Sequence, residues 1–209
     1  MLTTITYLFD PLCGWCYGAT PALDKLAATP GIGLKLAPTG LFSGEGARPM
    51  NTGFAGYAWS NDQRIARLSG QVFSDAYRRN CLLASGMSFD SGPATLALTA
   101  VALSAPAYEW AALKVIQKAR YVDGRDITKL AVLAEILQEL GLSEVAARIA
   151  APDESLRMPN RARIADAQAE MRQFAAEGVP ALIIGDERRL VRANELFSNL
   201  DGLVAGLPA

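Results

Sequence analysis

The chain has 209 residues with 20 basic and 21 acidic side chains, a net charge of −1, three cysteines and no histidine. That length, with 51% hydrophobic residues, supports a packed core and excludes a disordered chain. The near-neutral charge offers no basic field to nucleic acid, and the missing histidine removes Ser-His and Cys-His relays and two-histidine zinc sites.

Met1-Leu2-Thr3-Thr4-Ile5-Thr6 has no positive n-region and Asp10 interrupts the apolar run early, so a cytoplasmic location is expected. Thr4 to Phe9, β-branched and aromatic, predicts a short buried strand that stops at the turn signal Asp10-Pro11. A helix is expected from near Cys13 to before Pro30, then a second strand over Gly33 to Pro38, where Leu34 and Leu36 alternate with Lys35 and Ala37. Strand, helix and strand in that order suggest a βαβ crossover with parallel strands.

Thr39 to Trp59 is glycine-rich with little periodicity, as in a functional or covering loop, and Arg48 and Met50 are candidates to line a groove there. Ser60 and Gln63 have capping-box spacing, and Ile65, Leu68, Val72, Phe73 and Ala76 follow as one stripe. The chain then reads as helical to about residue 177. Ser91-Gly92-Pro93 opens an alanine-leucine helix that Pro106 interrupts, and this uncharged stretch reads as a core helix rather than a membrane span. Trp110, Leu113, Ile116 and Gln117 belong to the next helix, which stops near Asp123-Gly124. Asp126 caps a helix with the stripe Leu130, Leu133, Leu137 and Leu140, ending at Gly141. Ser143 to Ala150 forms a short helix, and a long one runs from about Arg161 to Glu177. Beyond Gly178, Ala181 to Ile184 is an apolar strand, Gly185-Asp186-Glu187 a turn, Arg188 to Val191 an edge strand, and Asn194 opens a closing helix. A hairpin alone is marginal in water, so the two strand-bearing ends must share one sheet.

Cys13-Gly14-Trp15-Cys16 sits where the first strand meets a helix. Two-residue spacing allows the sulfurs to bond within one helical turn, and the helix start offers free N–H groups to Cys13. This favours Cys13 as the exposed attacking thiolate and Cys16 as the covered thiol that resolves a mixed disulfide. A half zinc site lacks ligands within the chain, so redox chemistry is the preferred reading. Asp10 is a candidate proton relay for Cys16, against the plainer role of a turn residue. Trp15 is read as a substrate contact or as packing on the helical cap. Cys81 reads as an inert buried side chain.

The segment Tyr7-Leu8-Phe9-Asp10-Pro11-Leu12-Cys13-Gly14-Trp15-Cys16-Tyr17-Gly18 resembles the active-site region of DsbA-family thioredoxin-like oxidoreductases, nearest their cytoplasmic, FrnE-like members. Gly178-Val179-Pro180-Ala181-Leu182-Ile183-Ile184-Gly185 is similar to the family's second signature, a cis-proline facing the disulfide, and Gly124-Arg125-Asp126-Ile127 with the helical block resembles its helical insertion. The resemblance implies an α/β thioredoxin-like fold, residues 1–45 and 178–209 forming that domain and 46–177 an inserted, all-helical subdomain with its connecting loop and helix. It further implies Cys13 as nucleophile, Cys16 as resolving thiol, Pro180 as cis-proline and Val179 as the backbone that pairs with an extended substrate. Protein or peptide thiols and disulfides are the implied partners, with no metal or organic cofactor beyond the Cys13–Cys16 pair and glutathione as a candidate recycling thiol. No nucleic-acid or membrane partner is expected.

The strongly oxidising family member has Pro-His between its cysteines, where this chain has Gly14-Trp15. Without that imidazolium a less oxidising potential is expected, suited to reduction or isomerisation. Two rival readings stand beside this one. Glutathione-dependent enzymes such as kappa-type transferases and hydroxychromene-carboxylate isomerases resemble the chain in their insertion but usually keep a single Ser or Cys at the first thiol, so Cys16 counts against them. A non-catalytic binding domain with incidental thiols is the other.

Overall fold

The computed structural model describes residues 2–185 and 188–207. Strand β1 (Thr3–Phe9) leads through the short α1 (Gly14–Gly18) and α2 (Thr20–Ala27) to β2 (Ile32–Pro38). The middle of the chain holds β3 (Arg48–Pro49), α3 (Thr52–Ser69), α4 (Asp75–Tyr77) running into a π-helical turn (Arg78–Leu82), β4 (Ser88–Phe89), α5 (Gly92–Ser104), α6 (Glu109–Tyr121), α7 (Leu130–Glu139), α8 (Ser143–Ala150) and α9 (Glu154–Gln173). The chain closes with β5 (Ala181–Ile184), β6 (Arg189–Arg192), α10 (Ala193–Ser198) and α11 (Leu200–Ala205). No helix among the described residues is long and apolar enough to cross a membrane.

Both ends of the chain meet in one four-stranded sheet of order β2-β1-β5-β6, with β1–β2 parallel and the other pairs antiparallel. Tyr7 stands between Leu36 and Leu182 in that register. As a central strand β1 is covered on both faces, and its side chains divide at period two. Ile5, Tyr7 and Phe9 join the large core with Leu23, Leu26 and the buried face of α6, while Leu8 packs with Ala37, Ala167, Ala181 and Ile183. Residues Ala94 to Val101 of α5 are all buried, so the uncharged stretch is a core helix.

Several elements depart from expectation for local reasons. The first helix is two helices that meet at Ala19, because Pro21 near the start of α2 cannot donate to the Tyr17 carbonyl. Helix α3 starts at Thr52, not Ser60. Asn51 accepts from Phe54 N at 2.9 Å as the N-cap, which leaves Ser60 and Gln63 in mid-helix. Gly70, with φ 74°, ends α3, so Val72 and Phe73 lie beyond it rather than on its stripe. Asp126 accepts from Thr128 N at 3.1 Å and caps the turn before α7, whose own N-cap is Lys129. Helix α9 starts at Glu154 and runs through Pro159, and the Ser155 carbonyl that Pro159 cannot reach accepts from Arg148 Nη2 at 3.5 Å. The α9 helix falls within segment 46–177, yet its Ala167, Met171 and Phe174 cover the β1–β5 face, and Arg163 donates to the Leu36 carbonyl at 3.0 Å. Asp186 and Glu187, the middle of the expected hairpin turn, lie outside the described residues. Strands β3 and β4, which pair Arg48 with Phe89, have no counterpart in the sequence reading.

Candidate active site

The site begins where β1 runs out. Asp10 turns the chain, its carbonyl accepting from Cys13 N at 3.0 Å and its Oδ1 from Leu12 N at 2.8 Å. Cys13, with extended backbone, precedes the first turn of α1, and Tyr17 N returns to the Cys13 carbonyl at 3.0 Å. Gly14, Trp15 and Cys16 therefore have N–H groups with no acceptor inside the helix. Two tyrosines pin this loop from below: Tyr121 Oη donates to the Leu12 carbonyl at 2.7 Å and Tyr7 Oη to the Cys16 carbonyl at 3.1 Å.

All three cysteines are free thiols. Cys16 is wholly buried, and burial first, then a hydrogen bond with Cys13, push its thiol well above the usual range, against a hydrogen bond from the Asp10 backbone. Cys13 is 7% exposed, less open than the sequence reading has it, and lines a cleft. Its Sγ donates to the Val179 carbonyl at 3.6 Å, and the Val179–Pro180 bond is cis. Residues 166 positions apart are thus brought together by the pairing of β1 with β5.

The cleft over Cys13 has a volume of about 290 Å³ and is lined by Gly14, Trp15, Arg48, Phe54, Asp62 and Tyr121. Arg48 stacks over Phe54 at 5.4 Å, so it lines a groove as expected, whereas Met50 packs half-buried against the core. Trp15 is half-buried, edge-on to Phe197 at 5.3 Å and beneath the Arg64 guanidinium at 5.6 Å. Beyond it lies a second depression of about 360 Å³, edged by Leu68 and Val179.

Asp10 is completely buried, and its Oδ2 accepts from Ser91 Oγ at 2.7 Å and Phe42 N at 3.1 Å. Burial raises its pKa, and these donors oppose the rise. The residue ties the turn after β1, the loop at Phe42 and the segment before α5 together. Cys81 is buried, donates to the Arg125 carbonyl at 3.5 Å and has its thiol raised by burial.

Three residues absent from the sequence reading complete the site. Asp62 of α3 is 4% exposed and accepts from Tyr77 Oη at 2.9 Å. Burial lifts its carboxyl to about 7, opposed by the Tyr77 hydrogen bond and the charge of Arg120. The Arg120 guanidinium, fully buried and without a hydrogen-bond partner among the described residues, lies 5.3, 5.6 and 5.8 Å from the rings of Tyr77, Phe89 and Tyr121. A signal for Asp62 existed: it shares the buried face of α3 with Ala55 and Ile65 at helical spacing.

Comparison with known proteins places this geometry. The profile of the DSBA-like thioredoxin domain matches residues 4–202. Cytosolic disulfide reductase DsbM from Pseudomonas aeruginosa is 35% identical, with a TM-score of 0.84 over 97% of this chain and 95% of that one. A structure of DsbM with GSH gives 33% identity and the same TM-score over 97% and 96%. A disulfide isomerase candidate from Nitrosomonas europaea, at 22% identity and TM-score 0.76 over 98% of each chain, shares the fold. So does a 2-hydroxychromene-2-carboxylate isomerase, at 16% and 0.60 over 96% and 94%. A search of curated proteins returns no match.

Proposed function

This chain belongs to the DSBA-like thioredoxin-domain family, and we propose that it is a thiol–disulfide oxidoreductase working in the reducing direction through Cys13 and Cys16. The observation that carries the reading is Cys13 Sγ against the Val179 carbonyl beside a cis-proline, with the Cys16 thiol in hydrogen-bond reach beneath it. A dithiol so placed has one sulfur that substrate can approach and one that it cannot.

The Cys13 thiolate attacks a substrate disulfide: a Cys13–substrate bond forms, the substrate S–S bond breaks, and the electron pair leaves on the departing sulfur, which is protonated. Cys16 then gives up its proton and attacks Cys13, releasing the second substrate thiol and leaving the pair oxidised. The raised Cys16 thiol favours a protonated, waiting partner, which deprotonates only at this step. Among the described residues Asp10 Oδ1 accepts from Leu12 N alone, and it is our candidate to take that proton. Two free thiols, joined in turn as a disulfide, return the protein to the dithiol, and glutathione fits that role by analogy with the DsbM complex. An extended substrate would lie along the Val179 backbone with Trp15 at its side, in the two depressions that Trp15 separates. Likeness to a cytosolic reductase and the absence of an imidazolium between the cysteines both favour a cytoplasmic, less oxidising enzyme.

The test is trapping. Cys16→Ser should accumulate mixed disulfides with cytoplasmic proteins or glutathione that dithiothreitol releases, and Cys13→Ser should accumulate none. Equal recovery from both variants would refute the assignment, and a binding-only domain would trap with neither.

A further inference from the structure

We propose that the Asp62 carboxyl donates the proton to the sulfur that leaves when Cys13 opens a substrate disulfide, and takes it back when the step reverses. The inference rests on the oxidoreductase reading above and adds a catalytic residue in the cleft that Cys13 lines.

The geometry is specific. Asp62 and Cys13 line the same cleft, and of the depressions beside the dithiol it is the one that Cys13 borders among the described residues. A Cβ added at Gly14, the residue after Cys13, would lie 2.5 Å from Asp62 Oδ1, so that oxygen rests against the backbone of the thiol motif. Oδ2 is held by the Tyr77 hydroxyl, which turns Oδ1 toward Gly14. A disulfide entering the cleft brings its far sulfur roughly 4 Å beyond Cys13 Sγ, two S–S bond lengths away, into the space Asp62 walls.

The titratable and charged groups around Asp62 in the cleft are Tyr77 of α4, Arg120 and Tyr121 of α6, Cys13 ahead of α1, Arg48 of β3 and, on α3 itself, the exposed Tyr57. Tyr121 Oη is committed to Leu12 and Arg120 is screened behind three rings, so Asp62 is the group placed to exchange a proton. Burial holds its carboxyl near neutrality, where both forms coexist. The step balances: the Cys13 thiolate, the disulfide R–S–S–R′ and the carboxylic acid give Cys13–S–S–R, R′–SH and the carboxylate, which regains a proton from water.

The experiment uses the full-length reduced protein and two neutral probes. Bis(2-hydroxyethyl) disulfide releases a basic thiolate that needs a proton, whereas 4,4′-dithiodipyridine releases one that does not. Asp62→Asn should slow the first reaction at least about tenfold more than the second, as expected when a general acid is removed. Losses that differ by less than that overturn the proposal, because a merely structural role would slow both probes alike. Tyr77→Phe supplies a second, milder variant. Without the hydroxyl that lowers the Asp62 pKa, the pH limb of the alkyl-disulfide reaction should move upward, and an unmoved limb overturns the proposal. Cys13→Ser abolishing both reactions upholds the oxidoreductase reading however Asp62 behaves, and its retaining either defeats that reading instead.

Discussion

Asp62 should make the native protein weaker as pH rises, and Asp62→Asn should relieve the loss. Folding carries its carboxyl from an ordinary 3.8 to about 7, chiefly by burial. At about 1.4 kcal/mol per pH unit this opposes folding of the ionised form by about 4 kcal/mol. The unfolded chain releases this proton first, so between about pH 4 and pH 7 the native state binds more protons than the unfolded one. Stability therefore falls across that window and is level on either side. Asparagine is uncharged in both states and keeps an oxygen for the Tyr77 hydroxyl, while Arg120 retains its three rings. In urea denaturation followed by tryptophan fluorescence, wild type and variant should match near pH 4, and the variant should be more stable by about 4 kcal/mol at pH 8. Titrations elsewhere cancel in the difference. A difference that stays constant from pH 4 to 8, or a variant weaker than wild type at pH 8, would refute the reasoning. The expected outcome is a residue kept for chemistry at a cost in stability.

Two other substitutions probe the supports of the dithiol. Gly14→Ala sets a methyl 2.5 Å from Asp62 Oδ1 and 3.3 Å from Ile65 Cδ1, so it should cost about 1–3 kcal/mol in denaturant and displace Asp62. Unchanged stability together with an unchanged pH profile would show that the two residues do not touch. Ser91→Ala removes one of three donors to the buried Asp10 carboxylate, at a cost of about 1–3 kcal/mol. That hydroxyl lowers a pKa that burial has raised, so its loss should be larger at pH 8 than at pH 4, where more of the carboxyl is protonated. Equal losses at the two pH values would mean that Ser91 does not stabilise the charged form.

Much of the scaffold was legible because its determinants are neighbours along the chain. Thr3 to Phe9 and Ala181 to Ile184 are β-branched or apolar runs bounded by turns, and both are strands of the central sheet. Gly141, expected to end a helix, follows α7 with φ 83°, and Ser143 to Ala150 is the short helix expected there. Local signals misled where two competed. Ser60–Gln63 has the spacing of a capping box, but Asn51 upstream also caps, and the aromatic face of the intervening turns has a core to bury against. The long helix is expected from about Arg161, yet α9 starts at Glu154 and passes through Pro159, where Arg148 from α8 donates to the freed Ser155 carbonyl.

The chain alone determined the chemistry on offer: two sulfurs one helical turn apart, no imidazole, and a valine-proline pair ahead of a strand. Spacing and residue type are local properties, and they survive in the unfolded chain. Only the tertiary structure decided which groups surround those sulfurs and how they titrate. Val179 meets Cys13 because β1 ends beside the start of β5, and Asp62 owes its perturbed carboxyl to water excluded by residues of α4, α6 and the loop before α1. Desolvation is a property of the packed assembly, and an aspartate in a string of letters carries no record of it.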